Sequence, residues 1–206
     1  MKKFSNTWTF ILLVIALPAG AFGIYNIYDN HLGSLPVLAE TDEHPIADFS
    51  LTNQEGITKT TADWNNKIVI TDFFFTHCPT VCPKMTKSLQ KVQTAFKDDA
   101  GILIQSISID PERDSVAQLK NYIKRFDINT NNWQFLTGPK KDIYKMARNS
   151  FQIVATDGDG GPQDFIHSEK LILIDTEKRI RGYYNGTDAA EVQQLIRDIK
   201  KLKNEH

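Results

Sequence analysis

The sequence predicts an α/β domain, a central mixed sheet flanked by helices, and three features carry that expectation. Two apolar runs, Ile68 to Phe75 and Ile102 to Ile109, read as buried strands. Between them Met85, Leu89, Val92 and Phe96 recur at helical spacing from Pro83 onward, so strand, helix and strand form a parallel crossover. The chain then closes on a hairpin and an amphipathic helix.

A chain of 206 residues, 41% hydrophobic and 24% charged, can bury one ordinary core, which predicts one globular domain with appendages. Its net charge of −1 offers nothing to a polyanion, and nucleic acid is set aside as a partner. The lysines at Lys140, Lys141 and Lys145 and from Lys200 to Lys203 read as solvated helix faces.

Lys2 and Lys3 precede an uncharged stretch from Trp8 to Tyr28, close to the ~20 residues that span a bilayer. It reads as a single-pass anchor in a cell membrane. Its lysines predict a cytoplasmic N-terminus and a domain on the extracytoplasmic, periplasmic side, while Trp8, Tyr25 and Tyr28 suit the two interfaces. The competing reading is a signal peptide cleaved near Ala19-Gly20-Ala21, but apolar character continues through Ile27. The expected organisation is thus residues 1–28 as cytoplasmic N-terminus and transmembrane helix, 29–45 as linker and 46–206 as the domain. The linker mixes polar residues with Gly33, Pro36 and Pro45, and its His31 and His44 read as solvated.

Within the domain, Phe49 to Thr52 and Gly56 to Thr58 suggest a hairpin around Asn53-Gln54-Glu55. Val116, Leu119, Ile123 and Phe126 mark a helix after the turn Asp110 to Asp114, in which Asp114 is expected to cap. Trp133 to Leu136 reads as a short strand, and Ile143, Met146, Ala147 and Phe151 outline another helix. The glycine-rich Thr156 to Gln163 reads as a mobile loop; its aspartates lack the ligand ladder of a calcium loop. Strands Leu171 to Asp175 and Ile180 to Tyr184 and a helix from Ala189 to Leu202 complete the domain. That order of elements suggests a thioredoxin-like sandwich.

Both cysteines lie in FFFTHCPTVCPKM, Phe73 to Met85, on the turn from the first long strand into its helix. The first amides of a helix lack intrahelical partners and favour a thiolate. Four-residue spacing predicts Cys78 and Cys82 on one face of the first helical turn, close enough to share a metal ion or close a disulfide. A structural disulfide over so short a loop removes only about 2 kcal/mol of unfolded-chain entropy and explains little. A redox pair would use Cys78 to attack and Cys82 to resolve, although its usual spacing is CxxC. A soft-metal site has thiolates for Cu(I), and an imidazole would add Cu(II); His167 is the best third ligand. Zinc usually takes four protein ligands, and three are evident. His77 is expected to diverge from the site, and Met85 to pack on Leu89.

These residues resemble the Sco/SenC family, exported and membrane-tethered copper chaperones with a thioredoxin-like fold. The resemblance runs from about Ile46 to Leu202 and rests on FTHCPTVCP at Phe75 to Pro83, SIDPERD at Ser108 to Asp114 and FIHSEKLILID at Phe165 to Asp175. It implies that Cys78, Cys82 and His167 bind copper, Cu(I) or Cu(II). It further implies loading of the binuclear copper centre in the copper-bearing subunit of cytochrome c oxidase, with other thiol or copper proteins as further candidate partners. Thr80 and Ile166 stand where members often carry Asp, while the three ligand types are in place. The alternative is a thiol-disulfide oxidoreductase, with Cys78 and Cys82 as its redox-active pair, that keeps the oxidase cysteines reduced. A peroxiredoxin-like peroxidase fits less well, since Thr76 sits two residues before Cys78 where that family prefers three.

Overall fold

The computed structural model describes residues 10–31, 34–38, 46–153 and 168–205. His167 and the glycine-rich stretch from Thr156 to Gln163 lie outside the described residues.

At the N-terminus a π-helical turn, Leu12–Ala16, runs into helix α1, Leu17–His31. Among the described residues no helix is long and apolar enough to cross a membrane. The helical backbone is continuous from residue 10 to residue 31, with the π-helical turn inside it. The apolar side chains of Phe10, Val14, Ile15, Phe22 and Ile24 are nevertheless exposed.

The domain is built on a seven-stranded mixed sheet. Strands β1 (Ser50–Asn53) and β2 (Thr58–Thr60) form the expected hairpin. Asn53 Oδ1 accepts from the N–H groups of Glu55 and Ile57, and Gly56 takes φ +78°, which a residue without a Cβ adopts freely. A 3₁₀ turn, Thr61–Trp64, closed by a Thr60/Asp63 capping box, leads to β3, Ile68–Phe74. Helix α2 (Val81–Ala95) crosses to β4, Ile102–Ser108, which pairs parallel with β3. Helix α3 (Val116–Arg125) leads to β5, Trp133–Thr137, and helix α4 (Lys140–Asn149) follows. Strands β6 (Lys170–Ile174) and β7 (Ile180–Asn185) and helix α5 (Ala189–Asn204) end the domain. The strand order is β2-β1-β5-β4-β3-β6-β7, parallel only within β3-β4-β5.

Alternation along β3 divides the core. Ile68, Ile70 and Phe74 face α2 and α5, packing with Met85, Leu89, Val92, Leu195 and Ile199. Val69 and Phe73 face α4, packing with Ile143, Tyr144, Ala147 and Phe151. Helices therefore cover both faces of the sheet, and the C-terminal ends of the two central parallel strands open at the start of α2.

Candidate metal centre

Helix α2 begins at Val81, two residues before Pro83, so Cys82 occupies its first turn while Cys78 lies in the turn that precedes it. This corrects the expectation that both cysteines share the first helical turn. Pro83 is tolerated there because a first-turn amide has no intrahelical partner to lose. The sulfurs still converge: the backbone N–H of Cys82 donates to Cys78 Sγ at 3.3 Å. Both cysteines are buried, at 8% and 5% exposure, and they are not bonded to each other. With Phe73, Phe75, Pro79, Ile109 and Ser168 they line an apolar depression of about 220 Å³.

Their electrostatics differ. Burial alone would raise the Cys78 thiol, but the backbone N–H and thiol of Cys82 and the N–H groups of Thr80 and Val81 hold it below its ordinary value. Burial pushes Cys82 well up, against the Phe75 backbone, and the adjacent Cys78 and Asp72 add to the rise. Cys78 is therefore the more acidic thiol of the pair, and Cys82 the one that holds its proton more firmly.

The turn is held from below by Asp114, which is fully buried. Its carboxylate accepts from Thr76 N at 3.1 Å, Thr76 Oγ1 at 2.5 Å and Ser108 Oγ at 2.6 Å. Asp114 therefore does not cap α3; Ser115 does, accepting from Gln118 N. The SIDPERD segment thereby gains a physical role, because it ties the end of β4 to the residues just before Cys78. Arg125 adds a bond to Thr76 O at 3.3 Å while lying over the rings of Tyr122 and Phe126. His77 is half exposed, with Nδ1 3.1 Å from Thr76 Oγ1 and 3.9 Å from Asp114 Oδ1. Met85 is fully buried among core residues that include Leu89.

Beneath the cysteines lies Asp72, an acid in an otherwise apolar stretch of β3. Burial raises its carboxyl to about 7, although Ser106 Oγ donates to it at 2.5 Å and Trp133 Nε1 donates in turn to Ser106. Apolar patterning alone passes over Asp72, yet it leaves a visible signal: a lone carboxylate within IVITDFF. Among the described residues no group of three metal-binding side chains converges.

A family model for SCO1/SenC matches residues 39–204. The chain belongs to the SCO1/SenC family. Among curated Sco relatives, the SCO1 protein homolog of Bacillus subtilis (strain 168) is 30% identical over 159 residues, covering 76% of this chain and 82% of that one. Among solved Sco structures, BsSco, a member of the Sco family of cytochrome c oxidase assembly proteins in which a disulfide switch was identified, is 28% identical. Its TM-score is 0.68, with 79% of this chain and 95% of that one covered. ScoI of Bradyrhizobium japonicum with copper bound is 29% identical, with a TM-score of 0.57 and coverage of 72% and 97%. The mixed sheet flanked by helices is the thioredoxin-like fold of these Sco proteins.

Proposed function

We propose that the chain is a membrane-tethered copper chaperone, in which Cys78, Cys82 and His167 hold copper for delivery to the binuclear centre of a cytochrome c oxidase subunit. The observation that carries this reading is the cysteine pair, with the Cys82 N–H on Cys78 Sγ at the start of one helix and both residues at the wall of one depression. Two thiolates suit Cu(I), and an added imidazole suits Cu(II). Ser168 lines the same depression, and a chain neighbour lies only ~3.8 Å away between Cα atoms, which supports His167 as the third donor. The copper-bound ScoI relative supports copper as the cargo, and the assembly role of the BsSco relative supports an oxidase as recipient. The uncharged stretch behind Lys2 and Lys3 supports a single-pass anchor, with linker 29–45 and domain 46–206 on the periplasmic side.

Three protein donors leave a coordination position free, through which thiolates of the recipient displace Cys78 and Cys82 one at a time. The test is an anaerobic titration of the reduced full chain in detergent with Cu(I) and then Cu(II). Stoichiometric binding is expected, with the thiolate-to-Cu(II) absorption lost in His167→Ala and all binding lost when both cysteines are replaced. Absence of stoichiometric copper would reject the site.

The unequal thiols favour a second activity, reduction of a partner disulfide. Cys78 Sγ attacks one partner sulfur and releases the other as a thiolate; Cys82 then attacks the mixed disulfide. The chain ends with a Cys78–Cys82 disulfide, and the partner gains two electrons and two protons. This activity should survive in His167→Ala, which separates it from copper delivery.

A further inference from the structure

We propose that the end of the domain opposite the cysteine turn is a membrane-docking surface for the anionic headgroups of phospholipids. The inference rests on the reading of Trp8 to Tyr28 as a membrane anchor.

Helix α2 separates the two ends. Its first turn carries Cys82, and about 20 Å away its last residues open into a cleft shared with the C-terminal half of α5. Lys97, Arg197, Lys200, Lys201 and Lys203 line this cleft, against only two carboxylates, Asp98 and Asp99. Asp99 is already engaged by Lys203 and by the N–H of Gly101. Lys97, Arg197 and Lys200 are exposed and form no ion pair among the described residues. Cations in the last turn of a helix offset its dipole, and Lys201 and Lys203 serve that purpose in α5. Arg197 and Lys200 precede that turn and are surplus to it.

The tether enters at this same end. Arg181 Nε donates to Pro36 O at 3.2 Å and its Nη2 donates to Leu35 O, while Leu35 N donates to Glu205 Oε1 at 2.6 Å, just past α5. Leu35 follows Tyr28 by seven positions, at most about 25 Å of extended chain, and α1 runs on to His31. The cationic cleft is therefore confined close to the bilayer, where a negative surface attracts basic groups within about a Debye length, ~8 Å at physiological salt. Docking this end directs the cysteine turn away from the membrane, toward the solution from which a partner approaches.

The full chain is reconstituted in lipid nanodiscs of phosphatidylcholine alone, or with an equal part of phosphatidylglycerol, and followed by hydrogen–deuterium exchange. Each basic group near an anionic surface shifts partitioning about fivefold, so exchange over 94–100 and 197–204 should slow at least about fivefold in the anionic discs. The slowing should vanish at high salt and in the triple variant Lys97→Glu, Arg197→Glu, Lys200→Glu, with residues 76–82 unchanged. Equal exchange in the two lipids while the chain stays in the discs overturns docking and leaves the anchor standing. Recovery of lipid-free chain overturns both. Slowing in phosphatidylcholine discs upon adding inorganic phosphate would assign the cleft to a soluble anion and overturn membrane docking. The salt titration of the unmodified chain distinguishes docking from its absence even where the triple variant fails to fold.

Discussion

Asp72 and Asp114 lie on either side of the cysteine turn and are satisfied in opposite ways. Asp114 has three donors on its carboxylate, so Asp114→Ala leaves Thr76 N and Ser108 Oγ buried without their acceptor and Thr76 Oγ1 with only His77 Nδ1 in reach. A loss of about 3 kcal/mol or more is expected in urea unfolding, together with weaker copper binding, although no ligand has been removed. Asp72 has one strong donor and is otherwise desolvated, so its carboxyl is raised from 3.8 to about 7. With the folded value above the unfolded one, its contribution is full below about pH 4 and is lost as pH rises through about 7. Three pH units correspond to on the order of 4 kcal/mol. Asp72→Asn should flatten that decline, which urea midpoints at pH 5 and pH 8 would show; an unchanged slope would assign the decline to other groups.

Helix boundaries decide what the cysteines can do, and they are the part least visible in the sequence. Apolar spacing locates the body of α2 through Met85, Leu89 and Val92, because those side chains pack on β3. Proline's preference for a first turn points to a start at Pro83, whereas the helix begins at Val81 and Cys78 stays outside it. The same ambiguity applies to α3, where Asp114 and Ser115 are both good capping residues and only the structure separates them. Asp114 is drawn inward by Thr76 and Ser108, groups distant in sequence or beyond local pattern, which leaves the cap to Ser115. Ser115→Ala should therefore cost about 1 kcal/mol of stability with the copper titration unchanged. Neighbouring substitutions would then differ in kind: Asp114→Ala affects both readouts and Ser115→Ala only one.

Across the whole molecule, the α/β sandwich is legible because its two central strands are buried on both faces and therefore read as unbroken apolar runs. The sheet order is not legible, since β1 reaches β5 and β6 reaches β3 through antiparallel pairings that leave no mark in local periodicity. Nor is the fastening of the tether, which depends on one arginine. Arg181 is buried, and its guanidinium joins Asp175 Oδ2 at 3.0 Å, Glu205 Oε2 at 2.7 Å and the backbone carbonyls of Leu35 and Pro36. Burial would raise Asp175, but the backbone and side chain of Arg179 and then Arg181 outweigh it and hold the carboxyl below its ordinary value. Arg181→Ala leaves Asp175 with Arg179 but takes the donor from Glu205 Oε2 and from the Leu35 and Pro36 carbonyls, so a cost of about 1 to 3 kcal/mol is expected. It should also release residues 34–38, seen as faster hydrogen exchange there, while copper stoichiometry is retained because the cysteine turn lies at the far end of α2. If exchange over 34–38 stays slow in that variant, the tether is held by Glu205 and the Leu38 N to Ile180 O bond instead, and the arginine serves only the turn between β6 and β7.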